Sequence, residues 1–152
     1  MPFTVVVIDD DPDMRALFSV LIDADPSLAL VGEADTGETG TDLAAAKQPD
    51  LVVLDLTMPG TGGLASLPAI RAAAPGASVV MVTGVQDDTV RSAAIRSGAS
   101  AFLHKGPELS ESLLPTLHRI VDVRDQRGSS RGSASEIDLR DPTVGRKGNG
   151  RP

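Results

Sequence analysis

Short runs of aliphatic and β-branched residues recur along the chain: FTVVVI at 3–8, LALVGEA at 28–34, LVVLD at 51–55, SVVMVTG at 78–84 and SAFLH at 100–104. Runs this short predict strands, and the first, which leads straight into Asp9, reads as buried on both faces. The stretches between them space their apolar residues as a helix does, and the alternation predicts an α/β domain with a parallel sheet. The first helix is the clearest. Asp11 can cap it, Pro12 suits its first position, and Met14, Leu17, Phe18 and Leu21 follow at i, i+3, i+4 and i+7. GETGTDLAAAKQ (37–48) reads as a helix weakened by Gly40, and DDTVRSAAIRSG (87–98) as one that starts near Asp87 or Asp88 and stops at Gly98.

Two further helical stretches, LASLPAIRAAAPG and SESLLPTLHRIV, contain Pro68 and Pro115. An interior proline costs about 3 kcal/mol or more, so either Ser66 and Ser112 cap late-starting helices, the reading favoured here, or the helices kink. Five strands and about five helices then fill residues 3 to roughly 123. From Asp125 the pattern gives way to Gly, Ser, Arg and Asp. Such a segment buries too little apolar surface to order itself, so 1–124 is expected to be the folded domain and 125–152 a disordered tail.

At 152 residues the chain has room for one core and a tail. Aromatics make up only 2%, so the core falls to Val, Leu, Ile and Ala. The absence of cysteine excludes disulfides and thiolate metal sites. The start, MPFTVVVIDD, lacks a basic leader, and no apolar run approaches the ~20 residues that span a bilayer; a cytoplasmic protein without membrane contact is expected. Net charge is −7. From Asp125 onward basic residues outnumber acidic ones, so the acidic excess lies in 1–124 and argues against nonspecific nucleic-acid binding.

Several of the polar residues stand where chemistry is expected. In an open parallel sheet, sites form at the carboxyl ends of strands, near the switch in strand order. Asp9 and Asp10 follow the first run, Asp55 ends the third, Thr83 lies at the end of the fourth and Lys105 follows the fifth. Taken alone, the Asp9-Asp10-Asp11 run is more simply a solvated helix cap. Three carboxylates meeting in one crevice, however, need a cation, and oxygen ligands suit Mg²⁺. A threonine hydroxyl and a lysine across the crevice could hold phosphoryl oxygens, which points to phosphoryl transfer.

Taken together, VVVIDDDP, PDLVVLDLTMPGTGG, VVMVTG and AFLHKG resemble the receiver domain of two-component response regulators, in order and with ordinary spacing over residues 3 to about 123. The resemblance implies a flavodoxin-like, doubly wound sheet of five parallel strands in the order 2-1-3-4-5. It implies that Asp55 takes a phosphoryl group from a sensor histidine kinase or phosphotransfer protein. Asp10 would bind Mg²⁺ directly, Asp9 through water, and Asp55 and the Thr57 carbonyl would complete the protein ligands. Lys105 would pair with phosphoryl oxygens, Thr83 would turn towards them and Phe102 would swing inward with it. Asp11 would serve as a helix cap. Phosphorylation would then bias a surface formed by the fourth helix, fifth strand and fifth helix. The output is an unidentified protein partner or a phosphorylation-dependent homodimer, and the only catalysis is self-phosphorylation and self-dephosphorylation.

The sequence also departs from the family's pattern. Gly62 stands where the family often has an aspartate, and Gly60, Gly62 and Gly63 together suggest a mobile loop. Thr57 and Val85 would flank the path of hydrolytic water. Val85 offers it no hydrogen bond, so a long-lived phosphoryl group is expected, and faster dephosphorylation of Val85→Glu is the matching measurement. His104 reads as a strand-end side chain and His118 as helix surface. The tail offers no helix-turn-helix, so direct DNA binding is not expected. Two other readings compete: a receiver-like binding module that is constitutively active, and a small phosphatase of the haloacid dehalogenase type, suggested by Asp9-x-Asp11. The second lacks the residues that family needs after its second aspartate and downstream of its lysine.

Overall fold

A computed structural model describes residues 1–140 of the chain, apart from positions 59 and 61. Strands and helices alternate throughout: β1 (Phe3–Ile8), α1 (Pro12–Asp23), β2 (Leu28–Ala34), α2 (Gly37–Lys47), β3 (Leu51–Asp55), α3 (Gly63–Ala73), β4 (Ser78–Thr83), α4 (Asp88–Arg96), β5 (Ala101–His104) and α5 (Leu109–Arg140). The strands form one parallel sheet in the order β2-β1-β3-β4-β5. This is the flavodoxin-like order expected from the sequence, with its switch between β1 and β3.

The unbroken aliphatic runs explain the centre of the sheet. Val5 to Ile8 of β1 and Leu51 to Leu54 of β3 are buried, as helices on both faces require. Register carries the strand ends to one rim: Ile8 lies beside Leu54, Asp55 beside Val82 and Thr83 beside His104. α1 starts as read, with Asp11 accepting from the Asp13 N–H. Its inward face is rotated slightly, so that Phe18 and Ile22 are the buried pair. Gly40, read as a weakness of α2, has a packing role, since a Cβ there would lie 2.5 Å from Ile8 Cδ1.

The helices that carry proline do not start late. α3 begins at Gly63 and α5 at Leu109, and Pro68 and Pro115 lie inside them. Ser66 and Ser112 are helical residues whose N–H groups donate to the carbonyls of Gly62 and Glu108. Both prolines are exposed, so the carbonyls they leave without a helical donor can turn to water, while Leu67, Ile70, Leu113 and Leu117 bury the opposite faces.

The chain divides into two units, Met1–His118, which holds the sheet, and Arg119–Pro152. α5 continues past Asp125 to Arg140, into the segment expected as a tail. The composition argument considered only what the segment could bury. A helix that is already nucleated extends by one hydrogen bond per residue added, without a new nucleation step. The rest of the expected tail, 141–152, lies outside the described residues.

Candidate functional site

Asp9, Asp10 and Asp55 converge at the rim between β1 and β3, and each offers a carboxylate oxygen within 4.8 Å of the others. Asp9 and Asp55 are buried, and Asp10 is exposed. Lys105 reaches across from the end of β5, with Nζ 2.8 Å from Asp9 Oδ2 and 3.3 Å from Asp55 Oδ2. The shorter contact is an ion pair by distance, but Asp9 Oδ2 has no well-aligned donor among the described residues. One ammonium thus pairs with two of the three carboxylates.

The strand ends fix these groups. The Asp9 N–H donates to the Ala34 carbonyl of β2, and Asp9 Oδ1 accepts from the Asp11 N–H at 2.9 Å. Asp55 Oδ1 accepts from the Thr57 N–H at 3.1 Å, which draws the exposed Thr57 up to the acidic group. Burial pushes the Asp55 carboxyl up to about 6, and the Asp9 charge adds to this; the Thr57 N–H and Lys105 oppose it. Burial also works against the Lys105 ammonium, but Asp9 and Asp55 outweigh it and hold its pKa above the ordinary lysine value.

Gly63 has a steric reason to be glycine. A Cβ there would lie 1.8 Å from the Asp55 carbonyl oxygen, and its N–H donates to the Leu56 carbonyl at 2.9 Å. The glycines read as loop mobility therefore include one that lets α3 begin against the backbone of Asp55.

Thr83 is fully buried, and its Oγ1 accepts from the Val85 N–H at 3.0 Å. Val85 is exposed. Phe102 is partly buried and packs against the core. Asp9, Asp10, Asp55 and Lys105 thus meet at one rim, Thr57 and Thr83 adjoin them, and Phe102 is placed two residues before His104 on β5. His104 Nε2 lies 3.2 Å from the Gly84 carbonyl, a tie to the loop after Thr83. His118 is on the helix surface as read, with an unforeseen partner in Asp25 at the end of α1. The Asp25 carboxyl lies below its usual range, chiefly because Ser27 donates to it.

Arg15 was also missed from the sequence. Its Nη1 donates to the Asp9 carbonyl at 2.6 Å, and its Nε is 3.9 Å from Glu33 Oε1. The only available signal was its place one turn into α1, beyond a proline that lacks an N–H.

The donor set fits a hard divalent cation: the oxygens are carboxylate, one is buried without an aligned donor, and the lysine balances only part of the charge. An open parallel sheet with an acidic, cation-competent crevice beside its switch in strand order is the class that fold and site define. The chain belongs to the response regulator receiver domain family, whose model matches residues 5–114. It is 39% identical over 120 residues to the nitrate/nitrite response regulator protein NarL of Escherichia coli (strain K12), covering 78% of this chain and 54% of that protein. It is 37% identical over 132 residues to protein-glutamate methylesterase/protein-glutamine glutaminase 4 of Myxococcus xanthus (strain DK1622), covering 81% of this chain and 37% of that one. A crystal structure of a two-component response regulator of the LuxR family from Aurantimonas sp. SI85-9A1 superposes with a TM-score of 0.75 at 29% identity, covering 80% of this chain and 86% of that chain. The chain spans about half the length of NarL and less of the methylesterase. Among the described residues, no helix is long and apolar enough to cross a membrane.

Proposed function

We propose that this chain is a phosphorylation-operated switch, in which Asp55 accepts a phosphoryl group from the phosphohistidine of a sensor histidine kinase or phosphotransfer protein. A carboxylate oxygen of Asp55 attacks phosphorus, the P–N bond to the imidazole breaks, and the departing ring takes up a proton. Asp10, Asp55 and the Thr57 carbonyl would hold Mg²⁺ directly and Asp9 through water, and the ion would supply charge neutralisation for the transferring group. Lys105 pairs with the phosphoryl oxygens. The Thr83 hydroxyl leaves the Val85 N–H to meet them, and Phe102 follows. The receiver domain lies within residues 1–124 and works in the cytoplasm through a protein partner or a second copy of itself.

The observation that carries this reading is the setting of Asp55. It is a buried carboxylate at the end of the central strand, between a lysine and two further carboxylates. The test is mass spectrometry after incubation with acetyl phosphate and Mg²⁺. One phosphoryl mass is expected on wild type and none on Asp55→Asn. Catalytic turnover of a small phosphate ester with no covalent adduct would support the phosphatase reading instead.

A further inference from the structure

The hydrogen bonds around Asp9 leave one group that the backbone does not serve. Its N–H donates to the Ala34 carbonyl and its Oδ1 accepts from the Asp11 N–H, while its Oδ2 is ion-paired with Lys105 without an aligned donor. Its carbonyl is buried at the start of a tight turn into α1. The N–H groups of Asp11, Asp13 and Arg15 are engaged elsewhere, by Asp9 Oδ1, Asp11 Oδ1 and the Asp11 carbonyl, and Pro12 has none. The Arg15 guanidinium fills the gap at 2.6 Å, with its other side towards Glu33.

We infer that Arg15 is a positioning residue for the cation site: by clamping the Asp9 carbonyl it fixes the Asp9 carboxylate in the orientation from which Mg²⁺ is held. The inference rests on the proposed Mg²⁺-dependent switch and deepens it. Arg15 forms no ion pair with Asp9, Asp10 or Asp55; its only ionic partner among the described residues is Glu33. Its charge is therefore directed away from the three carboxylates, and its fork is spent on geometry. A cavity of about 630 Å³, bordered by Arg15, Glu33, Asp35 and Asp42, adjoins it. If the guanidinium were removed, water from this cavity could reach the Asp9 carbonyl, so the fold would keep its hydrogen bond while the carboxylate lost its fixed orientation.

The two roles open to Arg15 predict opposite signs. A residue that merely added positive charge beside the acidic group would weaken cation binding, and Arg15→Ala would bind Mg²⁺ more tightly. A positioning residue gives the reverse, and loss of an outer partner of a metal ligand typically lowers affinity about 10-fold or more.

The experiment titrates Mg²⁺ into the metal-free chain by NMR, following backbone amides at the rim, and measures Asp55 labelling by acetyl phosphate across the same Mg²⁺ range. Arg15→Ala should lower Mg²⁺ affinity about 10-fold, and saturating Mg²⁺ should restore the labelling rate to that of wild type. Unchanged or tighter binding would overturn the inference, and so would slow labelling that saturating Mg²⁺ does not rescue. Arg15→Lys keeps the charge without the planar fork and should fall between the two; it also reports if Arg15→Ala does not fold, and wild-type affinity in it overturns the clamp. Wild type that neither binds Mg²⁺ nor becomes labelled would instead sink the proposed function.

Discussion

Asp55 is a carboxylate in a place that disfavours its charge. Its pKa is raised from 3.8 to about 6, so in the metal-free protein the folded state holds the proton more tightly than the unfolded chain. The stability this gives is fully present below about pH 4 and is lost as pH rises through about 6. Asp55→Asn cannot ionise and does not incur that loss. With chelator present, it should be more stable than wild type above pH 7 by about 2–3 kcal/mol, and the difference should vanish below about pH 4. Denaturant melts across this range provide the measurement, and equal stability at pH 8 would contradict the burial argument. The acidic residues were legible because they follow aliphatic runs directly. Arg15 was not, because its partner is a backbone carbonyl six residues earlier, and no residue pattern displays a carbonyl's need for a donor.

Among the elements, the strands were legible almost to the residue, since unbroken aliphatic runs in a parallel sheet have no other reading at that length. The starts of α3 and α5 were not. Proline was weighed by its intrinsic cost, whereas the fold keeps it on the solvent side and recovers the helix through buried leucines and Ile70. That difference is measurable. Pro68→Ala, on the exposed face of α3, restores an N–H to the Leu64 carbonyl and loses only some stiffness in the unfolded chain. It should stabilise the protein by roughly 2 kcal/mol, read as a higher urea midpoint with unchanged slope. A destabilised variant would mean that the ring fixes an α3 geometry that alanine does not adopt. The extension of α5 past Asp125 was hidden for a related reason: burial potential says nothing of a helix that continues one already begun.

At the scale of the molecule, the acidic excess of residues 1–124 is gathered partly at one rim, where Asp9, Asp10 and Asp55 converge. The proposed Mg²⁺ site would link stability to the cation. At a hundredfold excess over the dissociation constant, Mg²⁺ should add about 2.7 kcal/mol, which for a domain of this size is a rise in Tm of roughly 10 °C. Asp10→Asn, at an exposed proposed ligand with no side-chain hydrogen bond among the described residues, should abolish most of that rise and leave the metal-free Tm unchanged or slightly higher. A full Mg²⁺ response in this variant would remove Asp10 from the ligand set. The rim was legible because strands that all run in one direction bring their carboxyl ends together, whereas the strand order came only from the resemblance to receiver domains.

Lys105 is rooted at the outermost strand yet rests on side chains from the two central ones, β1 and β3. An ammonium stretched over that span behaves like a taut guy-line. A new anion built onto Asp55 would compete for its end, slacken the hold on Asp9 and pull on the base of the line at β5. The edge of the sheet thus feels an event at its middle without any strand having to slide.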